Sequence, residues 1–328
     1  MSDLPKFVYV NECGPREGFQ FEKVHIPTAD KVAFVDQLSD TGIKAIQFAS
    51  FVSPKWVPQM ADSDAWVDGI KKAPGVEYTG LWLNLQGLDR ALTHLDKLTI
   101  CPGFSLNASE TFSKKNTNRS VAEKLDEMPG YVSKFRELGF DKLDIGVAVA
   151  FGCNYEGAIS TERVMSLLAD QASRARDLGM KIGEITLYDT MGWGNPLQVK
   201  RLVGAVRERY PDNTVCLHLH DTRGLAIANF IAGLEMGVDR FDAAVAGLGG
   251  CPFAAHKGAA GNICTEDVVF LCQEMGIDTG IDLDAMIEAG IRAEELVGHP
   301  LPGKIKVGGN LATYRAKASA AAKAAITA

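Results

Sequence analysis

Short apolar runs alternate with longer amphipathic segments from about residue 7 to about residue 275. This alternation limits the fold more than any other property of the chain, because strands separated by helices pair in parallel with right-handed crossovers. Runs at 7–10, 45–48, 78–83, 97–101, 143–150, 182–187, 214–218 and 240–244 read as strands. Helical stripes read at 30–41, 62–72, 88–95, 120–138, 160–178, 196–209, 225–236 and 265–275. Ser120 with Glu123 has capping-box spacing, Pro129-Gly130 predicts a break or kink in that helix, and Pro196 occupies a favoured first-turn position. Eight strand-then-helix units predict an α/β fold closed as a TIM (β/α)8 barrel, and no GxGxxG or GxxxxGK[ST] follows the first strand to suggest an open nucleotide-binding sheet. The barrel is expected over 1–280. Residues 281–328 are expected as a short C-terminal helical extension, packed on the barrel or frayed from it.

Composition narrows the partners. The chain has 328 residues, 46% of them apolar, and a mean hydropathy near zero. It contains no apolar run of the ~20 residues that a membrane-spanning helix needs, so no membrane partner is expected. Asp3, Glu12, Arg16 and Glu17 interrupt the first thirty residues, which predicts no signal peptide. The net charge is −7 and no Lys/Arg cluster occurs, so nucleic acid is not an expected partner. Seven cysteines, an odd number, lie far apart with no CxxC pair, as in reduced thiols of a cytoplasmic protein.

In a barrel, reactive groups project from the carboxyl ends of strands. The seventh run ends in His218-Leu219-His220-Asp221-Thr222. Residues two apart on a strand share a face, so the two imidazoles converge, and neutral imidazole is a common ligand for divalent metals. Taken alone, the pair fits equally a packed histidine beside a turn-capping one. After the first run comes 12–20, a charged turn flanked by glycines that reads most simply as a solvated loop. Gln47 and 50–55 follow the second run, Asp189-Thr190-Met191-Gly192 the sixth, and Gly247-Leu248-Gly249-Gly250-Cys251-Pro252 the eighth. A glycine-dense loop approaches ligands closely, which favours a reactive role for Cys251 over a space-filling one.

Together, Arg16-Glu17-Gly18-Phe19-Gln20, the stretch 50–60, His218-Leu219-His220, Gly247 to Pro252 and Gly261-Asn262 resemble the 3-hydroxy-3-methylglutaryl-CoA lyase family of metal-dependent lyase and synthase barrels. The similarity covers about residues 7–300. It implies retro-Claisen cleavage of a 3-hydroxyacyl-CoA to acetyl-CoA, or a related acyl-CoA, and an oxo acid. It also implies Mg²⁺ or Mn²⁺ held by Glu17, His218, His220 and Asn262. Arg16 would stabilise the enolate, Cys251 would protonate it, and His218 and Asp189 would handle the hydroxyl proton. Lys23 and Ser50 match positions associated with CoA contact, a solvated surface lysine being the plain alternative for Lys23. A homo-oligomer, dimer or higher, is expected.

The chain departs from the family pattern in four places. Glu17 replaces an aspartate, and Gln47, placed with the catalytic group beside Arg16, replaces a glutamate. The loop from Cys251 to Asn262 is two residues longer, with His256 and Lys257 in it, and Trp82 stands where a smaller residue is common. These changes imply a non-standard acyl group. The competing readings are a Claisen-type enzyme condensing an acyl-CoA with a 2-oxo acid, and a catalytically altered CoA-ester-binding homologue.

Overall fold

The computed structural model describes residues 4–249 and 261–327. Eight strands, β1 (Tyr9–Glu12), β2 (Ala45–Ser50), β3 (Glu77–Leu81), β4 (Gly103–Asn107), β5 (Lys142–Ala148), β6 (Lys181–Tyr188), β7 (Val215–His218) and β8 (Arg240–Ala243), form one parallel sheet. Their order is β3-β2-β1-β8-β7-β6-β5-β4, so first and last strands are neighbours and the sheet curls into a barrel. Across the seam between β3 and β4, the Thr99 N–H donates to the Tyr78 carbonyl at 2.7 Å. The expected (β/α)8 fold is the observed one.

Side-chain parity divides the strands into a helix-facing side and an axial side. Leu217 and Phe241 are fully buried and press on Gly233 of the helix Ala226–Glu235. Their neighbours Cys216, His218 and Asp242 turn to the other side. In-register pairing sets Asn11 of β1 beside Asp242 of β8, Asp242 beside His218 of β7, and His218 beside Tyr188 of β6. One layer of the barrel interior is therefore polar, which is unusual where bulky aliphatic residues dominate.

Most expected elements recur within a few residues, and the helix Pro196–Arg209 has the expected bounds. Four differ. The fourth strand is Gly103–Asn107 rather than 97–101. Leu98 and Ile100 are buried as a strand's would be, but Pro102 follows and the ladder with β5 starts only at Gly103, Thr99 making an isolated bond to Tyr78. The turn expected at 12–20 is largely the helix Gly14–Phe21, with proline in its first turn and Gly14, Gly18 and Phe19 buried. Its glycines reflect close packing rather than looping: a Cβ on Gly18 would lie 2.7 Å from Leu248 Cβ. The helix expected at 120–138 is two, Val121–Asp126 and Met128–Glu137, parted ahead of Pro129, with the Ser120/Glu123 capping box formed. A helix at Glu110–Thr117, N-capped by Ser109, was not foreseen because its sequence carries almost no apolar stripe.

The helix Leu283–Val297 buries Met286, Ala289, Ala293 and Val297 in the main core. The last helix, Leu311–Thr327, is tied back by Arg315, whose guanidinium forks onto Glu274 with two contacts of 2.7 Å. No helix among the described residues is long and apolar enough to cross a membrane.

Candidate active site

The site is assembled at the carboxyl ends of β1, β2 and β7. Glu12, the last residue of β1, is fully buried and starts the construction. Its Oε1 accepts the N–H groups of Gly14 at 2.7 Å and Val245 at 2.9 Å, and its Oε2 accepts the Thr265 hydroxyl at 2.6 Å. One carboxyl thus fixes the start of the helix Gly14–Phe21 against the segment leaving β8. Burial pushes that carboxyl up to about 7, the three donors pulling the other way.

The helix presents Arg16 and Glu17 to the barrel mouth. Arg16 Nε donates to Gln47 Oε1 at 2.7 Å, and its Nη2 pairs with Glu17 Oε1 at 2.7 Å. Glu17 Oε1 lies 3.6 Å from His218 Nε2, and its Oε2 lies 3.9 Å from His220 Nε2. The two imidazole Nε2 atoms are 3.1 Å apart. One ligand atom from each of Glu17, His218 and His220 lies within 4.8 Å of the others, a grouping able to grip a metal ion.

Asn262 joins from across the barrel end. Its backbone bridges antiparallel to His220, with the Asp221 N–H donating to the Gly261 carbonyl at 2.7 Å and the Ile263 N–H to that of Leu219 at 2.9 Å. Asn262 Nδ2 donates to Glu17 Oε2 at 2.5 Å and to the Leu248 carbonyl at 3.2 Å. Its Oδ1 is buried and has no partner among the described residues. A buried amide oxygen normally has a donor, so such an orphan, on an amide that itself touches Glu17 and faces His220 across a strand bridge, marks a place where a cation fits. The mixed O/N set suits a hard divalent ion.

The charges agree with this. Burial alone would raise the Glu17 carboxyl, but Arg16, His218, His220 and the Asn262 hydrogen bond bring it down to about 2. Burial, with His218 next, pushes His220 down to about 3, so it presents a neutral ring. Burial lowers His218 as well, yet Glu17 and Asp242 outweigh it and leave its pKa raised. Asp242 Oδ2 lies 3.0 Å from His218 Nδ1.

Asp189 follows β6 and is buried. Its carboxylate accepts the N–H groups of Trp193 at 2.7 Å and Gly194 at 3.0 Å, holding the loop after β6. Burial raises it to about 7, against those donors, Arg223 and His218. Among the described residues, Lys23 and Ser50 make no hydrogen bond to the cluster. Lys23 is exposed just past the first helix, whereas Ser50 is buried with its hydroxyl unpartnered and its backbone tied to Ser63. Cys251, with His256 and Lys257, lies outside the described residues. Glu12, Asn11 and Asp242 were missed in the sequence, although each is a polar residue set into an apolar strand run.

A family model described as HMGL-like matches residues 8–291. The chain belongs to the HMGL-like family. It is 42% identical over 290 residues to the cytoplasmic 3-hydroxy-3-methylglutaryl-CoA lyase of Rattus norvegicus, covering 88% of this chain and 81% of that protein. It is 38% identical over 301 residues to the hydroxymethylglutaryl-CoA lyase of Bacillus subtilis, covering 92% of this chain and 96% of that one. Among solved structures, an HMG-CoA lyase from Acinetobacter baumannii in complex with coenzyme A and 3-methylmalate superimposes with a TM-score of 0.83 at 39% identity, over 94% of this chain and 97% of that one. The HMGL-like chain is accordingly a lyase of a divalent-metal-dependent family. The carboxyl transferase domain of Rhizobium etli pyruvate carboxylase shares the fold, with a TM-score of 0.64 at 15% identity.

Proposed function

We propose that this HMGL-like lyase cleaves 3-hydroxy-3-methylglutaryl-CoA, or a close 3-hydroxyacyl-CoA, into acetyl-CoA and an oxo acid, acetoacetate for the parent substrate. The observation that carries the reading is the convergence of Glu17, His218 and His220 beside the Arg16 guanidinium, with the Asn262 amide on Glu17 and its Oδ1 unpartnered among the described residues. Those four residues would hold Mg²⁺ or Mn²⁺. When bound, the ion would supply Lewis-acid polarisation of the substrate's oxygens.

The protein's own groups do the rest. Because His218 Nε2 is turned toward Glu17 and His220, Asp189, pushed up to about 7 and placed one residue beyond β6, is the better candidate to take the hydroxyl proton. As that proton leaves, the C2–C3 bond breaks, its electron pair enters the thioester carbonyl, and C3 becomes the ketone of the oxo acid. Arg16 is held by Gln47 and Glu17 as a fixed cation toward the enolate oxygen. Cys251 delivers the proton that turns the enolate into the acetyl group. Lys23, exposed just past the helix that carries Arg16 and Glu17, is available to a CoA phosphate. Gln47 supports an altered acyl preference, because it leaves Arg16 with one carboxylate partner where a glutamate would add a second.

Release of acetoacetate from 3-hydroxy-3-methylglutaryl-CoA by purified protein loaded with Mn²⁺, abolished by His220→Ala, tests the reading. A loaded protein that leaves a panel of 3-hydroxy-3-methylacyl-CoA esters intact refutes it. A homo-oligomer in the cytoplasm completes the proposal, the compartment being supported by the six described cysteines, all free.

A further inference from the structure

We propose that Asp242 and Asn11 form a relay that sets the tautomer of His218 and so makes it a metal ligand. This inference rests on the metal reading above. Asp242 Oδ2 lies 3.0 Å from His218 Nδ1, and Asn11 Nδ2 lies 3.0 Å from Asp242 Oδ1. The three residues occupy matching positions on β7, β8 and β1, so hydrogen bonding of the strands themselves fixes their side-by-side order.

A carboxylate can only accept, so the atom facing Asp242 must be a protonated Nδ1 of His218. In neutral imidazole that leaves Nε2 as a bare lone pair, directed at Glu17 and His220. Asn11 acts one step back. Only its NH₂ end can face a carboxylate oxygen, which pins Asp242 Oδ1 and leaves Oδ2 for the histidine. Carboxylate or carbonyl partners behind a metal-bound histidine commonly contribute 10–100-fold in metal affinity.

The row has a polarity that a variant can erase or keep. In Asp242→Leu nothing accepts from His218 Nδ1, so the proton is free to move to Nε2 and the ligating lone pair is no longer enforced. Asp242→Asn alone does not erase the polarity, because the Asn11 amide can turn its own oxygen toward the new NH₂. Asp242→Asn combined with Asn11→Asp keeps it outright: the carboxylate at 11 takes the NH₂ at 242, whose oxygen accepts from His218 Nδ1–H.

Calorimetric titration of the chelator-stripped full chain with Mn²⁺ tests this, alongside imidazole ¹⁵N NMR of His218, its resonance identified by its loss in His218→Gln. Asp242→Leu is expected to weaken Mn²⁺ binding by roughly 10–100-fold and to populate the Nε2–H tautomer of His218. The double variant Asp242→Asn/Asn11→Asp is expected to keep most of the affinity and the Nδ1–H tautomer. Parental affinity in Asp242→Leu, or a double variant as weak as Asp242→Leu, overturns the relay and leaves the metal reading standing. A parent chain that binds no Mn²⁺ overturns both.

Discussion

Glu17→Asp asks whether this backbone is spaced for glutamate. The substitution keeps the charge and removes one methylene, drawing the carboxylate back by about 1.5 Å. The contacts that start at 2.5 Å to Asn262 Nδ2 and 2.7 Å to Arg16 Nη2 then open to roughly 4 Å, beyond hydrogen-bonding range. The helix cannot follow, because Gly14 is locked to Glu12 and Gly18 is seated on Leu248. Charge-assisted hydrogen bonds contribute about 1.5–3 kcal/mol each, and relaxation of Arg16 toward Gln47 recovers part of that. A net loss of about 1.4–2.8 kcal/mol corresponds to Mn²⁺ binding weaker by roughly 10–100-fold. Calorimetric titration of the stripped protein measures this directly, and acetoacetate release at saturating Mn²⁺ shows whether turnover falls with it. Equal or tighter Mn²⁺ binding by Glu17→Asp refutes the claim that the longer side chain is matched to this helix position.

Three further outcomes follow from the geometry. In Gly249→Ala, the new Cβ would lie 2.5 Å from Asn262 Nδ2 at a residue with φ of +104°, so Mn²⁺ affinity should drop at least about tenfold, the size of a hydrogen bond to a charged group, with the secondary structure intact by circular dichroism. Arg16→Met should lower kcat by roughly 10²–10³ with a smaller change in KM, and steady-state kinetics at saturating metal decide it. Burial raises the Glu12 carboxyl from its ordinary 4.5 to about 7 in the folded chain, so the folded state binds its proton more tightly than the unfolded state. Its contribution is complete below 4.5 and is lost as pH rises to 7, at most about 3 kcal/mol. Glu266 is buried, also raised to about 7, and acts in the same direction. The thermal midpoint should therefore fall between pH 5 and pH 7.5, and Glu12→Gln, which keeps an acceptor and a donor, should flatten that dependence in calorimetric scans.

How much of the protein is written locally differs between fold and site. Repeated apolar runs and helical stripes carried the barrel, because burial patterns recur within a few residues and need no distant partner. The His218/His220 pair was legible for the same reason, since strand parity alone puts both rings on one side. The glycine-flanked segment after β1 reads as a loop because its glycines accommodate Val245 and Leu248, contacts made with a segment far along the chain. The fourth strand slipped because Leu98 and Ile100 bury like strand residues while the ladder with β5 begins only past Pro102.

Sequence by itself determined the alternation, its count of eight, the resemblance to the metal-dependent lyases and the residue types that meet at the barrel mouth. Only the tertiary structure decided that Asn262 arrives opposite His220, that Gln47 and Glu17 share Arg16, and that Asn11 and Asp242 stand behind His218. The reason is closure of the sheet. Asn11 and Asp242 are separated by 231 positions, and they become neighbours only when the last strand pairs with the first, a relation set by register between strands and by no local propensity.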